Sequence, residues 1–274
     1  MRALGLGFAA SAETPIQPRA PLTPSAPAPV SPTSPPPPPA PSGLALSPAS
    51  RPPRWSLDAW GFFRAGSDAA PISQGRVPIY GASQIGALAQ YRLAPASQRD
   101  PRAYVRAYRA LVARGESEAA LGGSIRPLAK LPLRAFAEVR YTRGAFASEV
   151  RPALFVVTEL PPKPLPAGFS LEAYGQAGWV GGDFATGFAD GQITAARELV
   201  RFSGPAGAPL RLSAGAGVWG GAQKDAQRLD IGPTLRVEWI MGQVPARLSI
   251  DWREQVAGDA APQSGVAATL STSF

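Results

Sequence analysis

The chain has 274 residues, 32 Pro, neither His nor Cys, and a formal charge of +8 from 27 Lys and Arg against 19 Asp and Glu. Without Cys there is no disulfide framework and no thiolate chemistry, and without His the commonest general base and metal ligand are missing. The Arg residues are spread along the chain rather than gathered in a basic tract, which argues against nucleic-acid binding, and no apolar run nears the ~20 residues of a spanning helix.

Residues 1–12 hold Met1-Arg2, a short apolar run from Ala3 to Ala10 and an Ala10-x-Ala12 ending, so they read as a secretory signal or the remnant of one. Residues 13–54 contain Pro35 to Pro39 without a break, and half of the 32 Pro fall between Pro15 and Pro53. Proline lacks an N–H and fixes φ, so this stretch is expected to be a disordered, extended linker without a core. Such a segment also offers a reach toward a periplasmic or cell-envelope partner.

From Trp55 onward, short segments alternate apolar and polar residues, the period of a strand with two unlike faces. Ser56–Arg64 sets Leu57, Ala59 and Phe63 against Asp58, Trp60 and Arg64, and Ser83–Leu93 sets Ile85, Ala87, Ala89 and Tyr91 against Gln84, Gln90 and Arg92. Arg102–Val112 is ambiguous, because Arg106 and Arg109 fall on opposite faces. Glu118–Pro127, Leu133–Thr142, Val150–Glu159 and Phe169–Val180 alternate again. Phe188–Phe202 is ambiguous, with Arg197 beside Glu198. Leu210–Gly220 resumes the pattern, and three more segments fill Gln227 to Phe274. The last three are the clearest: Leu229, Ile231, Leu235, Val237 and Trp239 alternate with Arg228, Asp230, Thr234, Arg236 and Glu238. That makes about 12 strands (range 10–14), most near the ~9–11 residues of a tilted membrane-spanning strand.

The polar faces carry charges of both signs, and the chain stops on Phe274, which completes the last apolar series. A barrel in a membrane turns its apolar face to lipid and its polar face to a lumen. The expected fold over residues 55–274 is therefore all-β: a transmembrane, antiparallel, up-and-down β-barrel in the outer membrane of a Gram-negative bacterium, with the N-terminal segment in the periplasm. An even strand count puts both termini on one side. The Pro- or Gly-marked connections Ala94–Pro101, Leu128–Pro132, Pro161–Gly168, Gly204–Pro209 and Gly242–Pro245 share that side, and the longest loop, Gly66–Tyr80, lies opposite. Threaded so, Phe63, Tyr141, Trp179 and Trp252 form an outer aromatic girdle, and Tyr91, Phe169, Trp239 and Phe274 an inner one. A lumen charge ladder is expected from Arg126, Arg134, Glu138, Arg140, Arg228, Asp230, Arg236, Glu238, Arg247, Asp251 and Arg253, with Glu238 near Arg247 across the turn between their strands.

The ending Val266, Ala268, Leu270, Phe274 resembles the C-terminal signal of Gram-negative outer-membrane barrels, although Thr272 stands where an apolar residue is usual. That resemblance implies that the barrel-assembly machinery reads Phe274, and that lipid and lipopolysaccharide surround the wall. The stretches Gly81-Ala82-Ser83-Gln84-Ile85-Gly86 and Gly122-Gly123-Ser124-Ile125-Arg126-Pro127-Leu128 also resemble the C-terminal barrel of phage-adsorption proteins linked to exopolysaccharide secretion. Here a Pro-rich tract stands where that group has helical repeats.

Without His, the Ser-His triad of acyl-hydrolysing barrels cannot be built, and no cofactor or metal is expected. Three functions stay open at this point. The first is a non-enzymatic outer-membrane barrel, an accessory of cell-envelope or exopolysaccharide export, with its lumen closed by Arg–carboxylate pairs. The second is a narrow passive channel for small anions or acidic saccharides. The third is a soluble, secreted β-rich binding protein.

Overall fold

A computed structural model of the chain describes residues 53–66, 83–112, 115–144, 148–183, 185–203, 209–224, 226–242 and 244–274. The signal at 1–12, the Pro-rich linker up to residue 52 and nearly all of the Gly66–Tyr80 loop lie outside these.

Among the described residues, one antiparallel sheet holds β1 (Trp55–Arg64), β2 (Gln84–Arg92), β3 (Arg102–Ala110), β4 (Ser117–Ile125), β5 (Leu133–Arg143), β6 (Ser148–Thr158), β7 (Lys163–Pro164), β8 (Phe169–Val180), β9 (Thr186–Ser203), β10 (Pro209–Gln223), β11 (Ala226–Met241), β12 (Val244–Gly258) and β13 (Gly265–Ser273). Twelve strands are long; β7 is a two-residue piece beside the start of β8. Successive long strands are neighbours, β1 pairs with β13, and β6 pairs with β8, so the sheet closes on itself. The first-to-last seam runs in register from Asp58↔Ser273 to Arg64↔Ala267, and Phe274 N donates to Leu57 O at 2.8 Å beyond it. Closure removes every free edge, which is what lets strands cross lipid without unpaired backbone groups.

The period-2 pattern decides which way each residue points. Leu121, Val139, Val150, Leu154, Ile193, Leu235, Ile250 and Leu270 face outward and are exposed, while their polar neighbours turn inward and are buried. This is a water-soluble protein turned inside out: among the described residues 24 polar or charged ones are buried, and the apolar band is on the outside. A soluble monomer exposes no contiguous apolar patch of that kind.

The two ambiguous segments resolve for different reasons. In β3, Arg102, Tyr104, Arg106, Tyr108 and Ala110 face the lumen and Arg109 faces out. In β9, a bulge makes Leu199 an extra residue, since Val200 pairs with Leu212 but Glu198 with Ser213. One extra residue reverses the alternation, so Glu198 and Arg201 fall on one side and pair at 2.8 Å. The Pro161–Gly168 turn is more built than a simple connection: β7 pairs with Leu171 and Ser170, and a 3-10 turn at Pro166–Gly168 leads into β8.

Two lumen glycines are there for space. A Cβ on Gly86 would sit 2.1 Å from Cζ2 of Trp60, and one on Gly178 would sit 2.3 Å from Cβ of Phe155. The Trp60 ring lies across the bare backbone of Gly86 on the next strand, and Gly178 lets the backbone of β6 approach closely; Trp60, Leu88 and Tyr104, with Phe136 against them, form an apolar centre inside the barrel.

Candidate functional site: the lumen

Eight strands give an interior that side chains just fill, and sixteen or more leave a water channel. At twelve, only long side chains can reach across. The lumen face supplies Arg, Glu, Trp and Tyr, and their contacts fall into four groups.

Near the end that carries the termini, under β2 to β6, Asp100 accepts from Arg102, from Arg134 at 2.8 Å and lies 3.4 Å from Arg92. Glu159 bridges Arg126 at 2.5 Å and Arg134 at 2.7 Å. Burial pushes the Asp100 carboxyl up, but the hydrogen bond from Arg102 and the charges of Arg102, Arg134 and Arg92 outweigh it and hold it below its ordinary value. Glu159 is held low in the same way by Arg126 and Arg134 against its burial. Arg126, past the end of β4, is half-exposed at the mouth.

Midway along, Glu138 collects Arg140 at 2.5 Å, Tyr104 Oη at 2.7 Å and Arg106 at 2.8 Å; Arg106 also holds Glu118 at 2.6 Å. The Arg140 guanidinium stands 5.7 Å from the Phe155 ring and 5.8 Å from that of Phe188.

Across the lumen, under β8 to β12, Arg247 grips both oxygens of Glu172 at 2.8 and 3.1 Å and Glu238 at 2.6 Å. Arg236 adds a contact to Glu172 at 3.2 Å and donates to Thr194 Oγ1. Arg211 joins Glu238 at 3.5 Å and Glu198 at 3.1 Å. A cavity of ≈ 30 Å³ lies among these groups, lined by Thr194, Trp219, Thr234, Arg236, Asp251 and neighbours. A water needs about 10–15 Å³ on this measure, so there is room for one or two.

Toward the far end, Asp230 pairs with Arg64 at 3.0 Å and Arg228 at 2.8 Å. Arg228 also donates to the carbonyls of Ala260 and Pro262, which ties the β12–β13 loop inward. Arg253 pairs with Asp251 at 3.1 Å and is held between Trp219, 4.6 Å away, and Phe62, 5.0 Å away.

All eleven residues of the expected ladder thus lie in these groups, Arg126 at the rim and the other ten inside. Several participants are not legible in the sequence, among them Arg102, Tyr104 and Arg106 on β3, Glu198 on β9, Asp100, Phe155 and Phe188. Arg106 was hidden by the ambiguity of its strand, although Tyr104-x-Arg106-x-Tyr108 alternates. Asp100 sits in a connection. Phe155 and Phe188 read as apolar residues with no assigned side. Of the aromatics expected in two girdles, all eight lie on the outer surface of the wall: Phe63, Tyr141 and Trp179 near the far ends of their strands, Trp252 in register with Val266 at the start of β13, and Tyr91, Phe169, Trp239 and Phe274 toward the end that carries the termini.

No protein-family model matches the sequence, and no curated protein matches it. Among solved structures, the chain is similar to the beta domain of the Bordetella autotransporter BrkA (9% identity, 80% of this chain and 97% of that one, TM-score 0.43). It is similar to LpxR from Salmonella typhimurium (11% identity, 80% and 99%, TM-score 0.43) and to the COG4313 outer membrane channel from Pseudomonas putida F1 (12% identity, 84% and 99%, TM-score 0.40). Likeness this distant says nothing of function. The chain's own geometry shows the fold: a closed ring of twelve antiparallel strands, apolar outside and charged within, is a membrane-spanning β-barrel of the outer-membrane type.

Proposed function

We propose that the protein is a non-enzymatic outer-membrane barrel whose lumen is closed, and that it serves the cell envelope as an accessory rather than as a pore. What carries this reading is the set of contacts between strands that are not neighbours. Glu172 on β8 meets Arg247 on β12, Arg64 on β1 meets Asp230 on β11, and Arg106 on β3 meets Glu138 on β5. The first two are chords through the space that a solute would use, and the third spans the single strand β4 that lies between its ends. Buried ion pairs stabilise little against a packed apolar alternative, because desolvation offsets their attraction. Their value here is geometric: a paired guanidinium and carboxylate span a gap that no aliphatic side chain reaches.

The end that carries Trp55 and Phe274 faces the periplasm in this reading, so the Pro-rich segment 13–54 would meet an envelope partner there. An accessory role in exopolysaccharide export fits a barrel tethered in this way. The barrel-assembly machinery reads Phe274. With no His in the chain, acyl-hydrolase chemistry of the Ser-His kind has no base. The rival reading, an anion channel, draws on the Arg excess, but the chords stand in its path.

The test is conductance of the purified full-length protein in planar bilayers. The closed reading expects no steady current, and expects Arg236→Ser with Arg247→Ser to open one. Stable anion-selective steps from the unaltered protein would establish the channel instead.

A further inference from the structure

On the outward side of β3, β4, β5 and β6 the residues line up in rows across the strands. One row is Val105, Leu121, Val139 and Pro152; the next toward the far end is Ala107, Ala119, Tyr141 and Val150. The row after that is Arg109, Ser117, Arg143 and Ser148. The wall changes from wholly apolar to two cations and two hydroxyls within one row. Elsewhere on the outward side of the long strands, the charged residues are Arg197 near the opposite end and Glu254 on β12.

Arg109 and Arg143 are exposed, and among the described residues neither side chain has a hydrogen bond or ion pair. They stand two strand spacings apart, about 9–10 Å between backbones, with Ser117 between them. Two Arg side chains from that distance can close on one tetrahedral anion above the serine. A guanidinium fork suits phosphate oxygens, and two of them match the roughly −1.5 to −2 charge of a phosphomonoester better than the single charge of a diester. Tyr141 lies two residues nearer the membrane, where an interfacial aromatic belongs.

We propose that Arg109, Ser117, Arg143 and Ser148 form a docking site for the phosphomonoester headgroup of an outer-leaflet glycolipid. Its acyl chains lie over Val105, Leu121 and Val139. The leaflet follows from the orientation given under the proposed function; the site itself does not depend on it.

The experiment uses the full-length protein in nonionic micelles, with bound lipid read by native mass spectrometry. The probes are bisphosphorylated lipid A, dephosphorylated lipid A, phosphatidylglycerol and inorganic phosphate. The unaltered protein should retain phosphorylated lipid A, and Arg109→Gln with Arg143→Gln should weaken that at least tenfold. Arg197→Gln should leave it unchanged, and Arg109→Lys with Arg143→Lys should keep a measurable part of it. The other three probes should not compete at equal concentration. Equal retention by the double Gln variant would overturn the site; equal binding of dephosphorylated lipid A or phosphatidylglycerol would overturn the phosphomonoester, and competition by inorganic phosphate would make the ligand a free ion. Because a micelle has no sides, an inverted orientation would leave these results unchanged. It would show instead as labelling of the Pro161–Gly168 turn on intact cells.

Discussion

Replacing Glu172 with Gln removes one charge from the centre of the largest lumen network and leaves the shape of the side chain intact. Glu172 receives Arg247 at 2.8 Å and Arg236 at 3.2 Å. Removing one partner of a buried pair costs about 3–5 kcal/mol, because the other charge stays buried and uncompensated. Arg247 keeps Glu238 at 2.6 Å, so only Arg236 loses its paired carboxylate and is left with Thr194. The expected loss is therefore at the low end, about 3 kcal/mol, or about a hundredfold in the folded-to-unfolded ratio. The matched control is Glu198→Gln: Glu198 is 37% exposed at the side chain, its partner Arg201 is 57% exposed, and its other partner Arg211 keeps Glu238, so solvent screens the loss and the effect is small. Urea unfolding of the full-length chain in lipid vesicles, followed by Trp fluorescence and by the gel shift on heating, reads both. Combining Glu172→Gln with Arg236→Met should cost less than the sum of the two. A Glu172→Gln variant within about 0.5 kcal/mol of the Glu198→Gln control would refute the view that these chords are desolvated and closed.

Three further outcomes can be checked on the same preparation. Asp100 and Glu159 are held below their ordinary pKa, so they stabilise the fold above the unfolded carboxylate range of about 4 and lose that contribution as the pH falls through their folded values. The unfolding midpoint should drop below about pH 4, and Asp100→Asn should flatten that drop; an unaltered acid limb in the variant contradicts it. Gly86→Ala should destabilise by about 1–3 kcal/mol through overpacking against Trp60, and the penalty should vanish in a Trp60→Ala background; equal costs in both backgrounds would mean that the ring is not the obstacle. Deleting Phe274 should cut the yield of heat-modifiable barrel in the outer membrane, and normal yield would show that the assembly machinery does not read it.

The fold was legible because a barrel wall has few ways to satisfy its pattern. Leu235 and Arg236 are neighbours, strands alternate, and one must meet lipid while the other meets the lumen. Twelve such segments and their turns follow from the same rule. The rule fails wherever the backbone adds a residue or turns a charge outward. The Leu199 bulge reverses the face in the last third of β9, and nothing in Arg197-Glu198-Leu199 announces it. Arg109 faces out because it lies at the membrane boundary, where an Arg extends toward the headgroups, so the face could not be read from its charge. The partners inside the lumen were harder still. Glu238 and Arg247 are cross-strand neighbours in register, which a turn between two segments dictates. Glu172 and Arg247 lie on strands four apart around the ring, and no spacing in the chain relates them. Closure alone brings them together, so a lumen of paired charges could be expected from the sequence but these particular partners could not.

The most direct test of the inside-out barrel is the lipid exposure of adjacent positions on one strand. Cys introduced at 235 and then at 236, in a chain with no native Cys, can each carry a probe read against quenchers on the acyl chains of the bilayer. Leu235 is 40% exposed on the outer wall, and Arg236 is buried in the lumen at 6%. Strong acyl-chain quenching at 235 with little at 236 is the predicted result. Weak and equal quenching at both would contradict a membrane-spanning wall, and with it the whole account of the lumen.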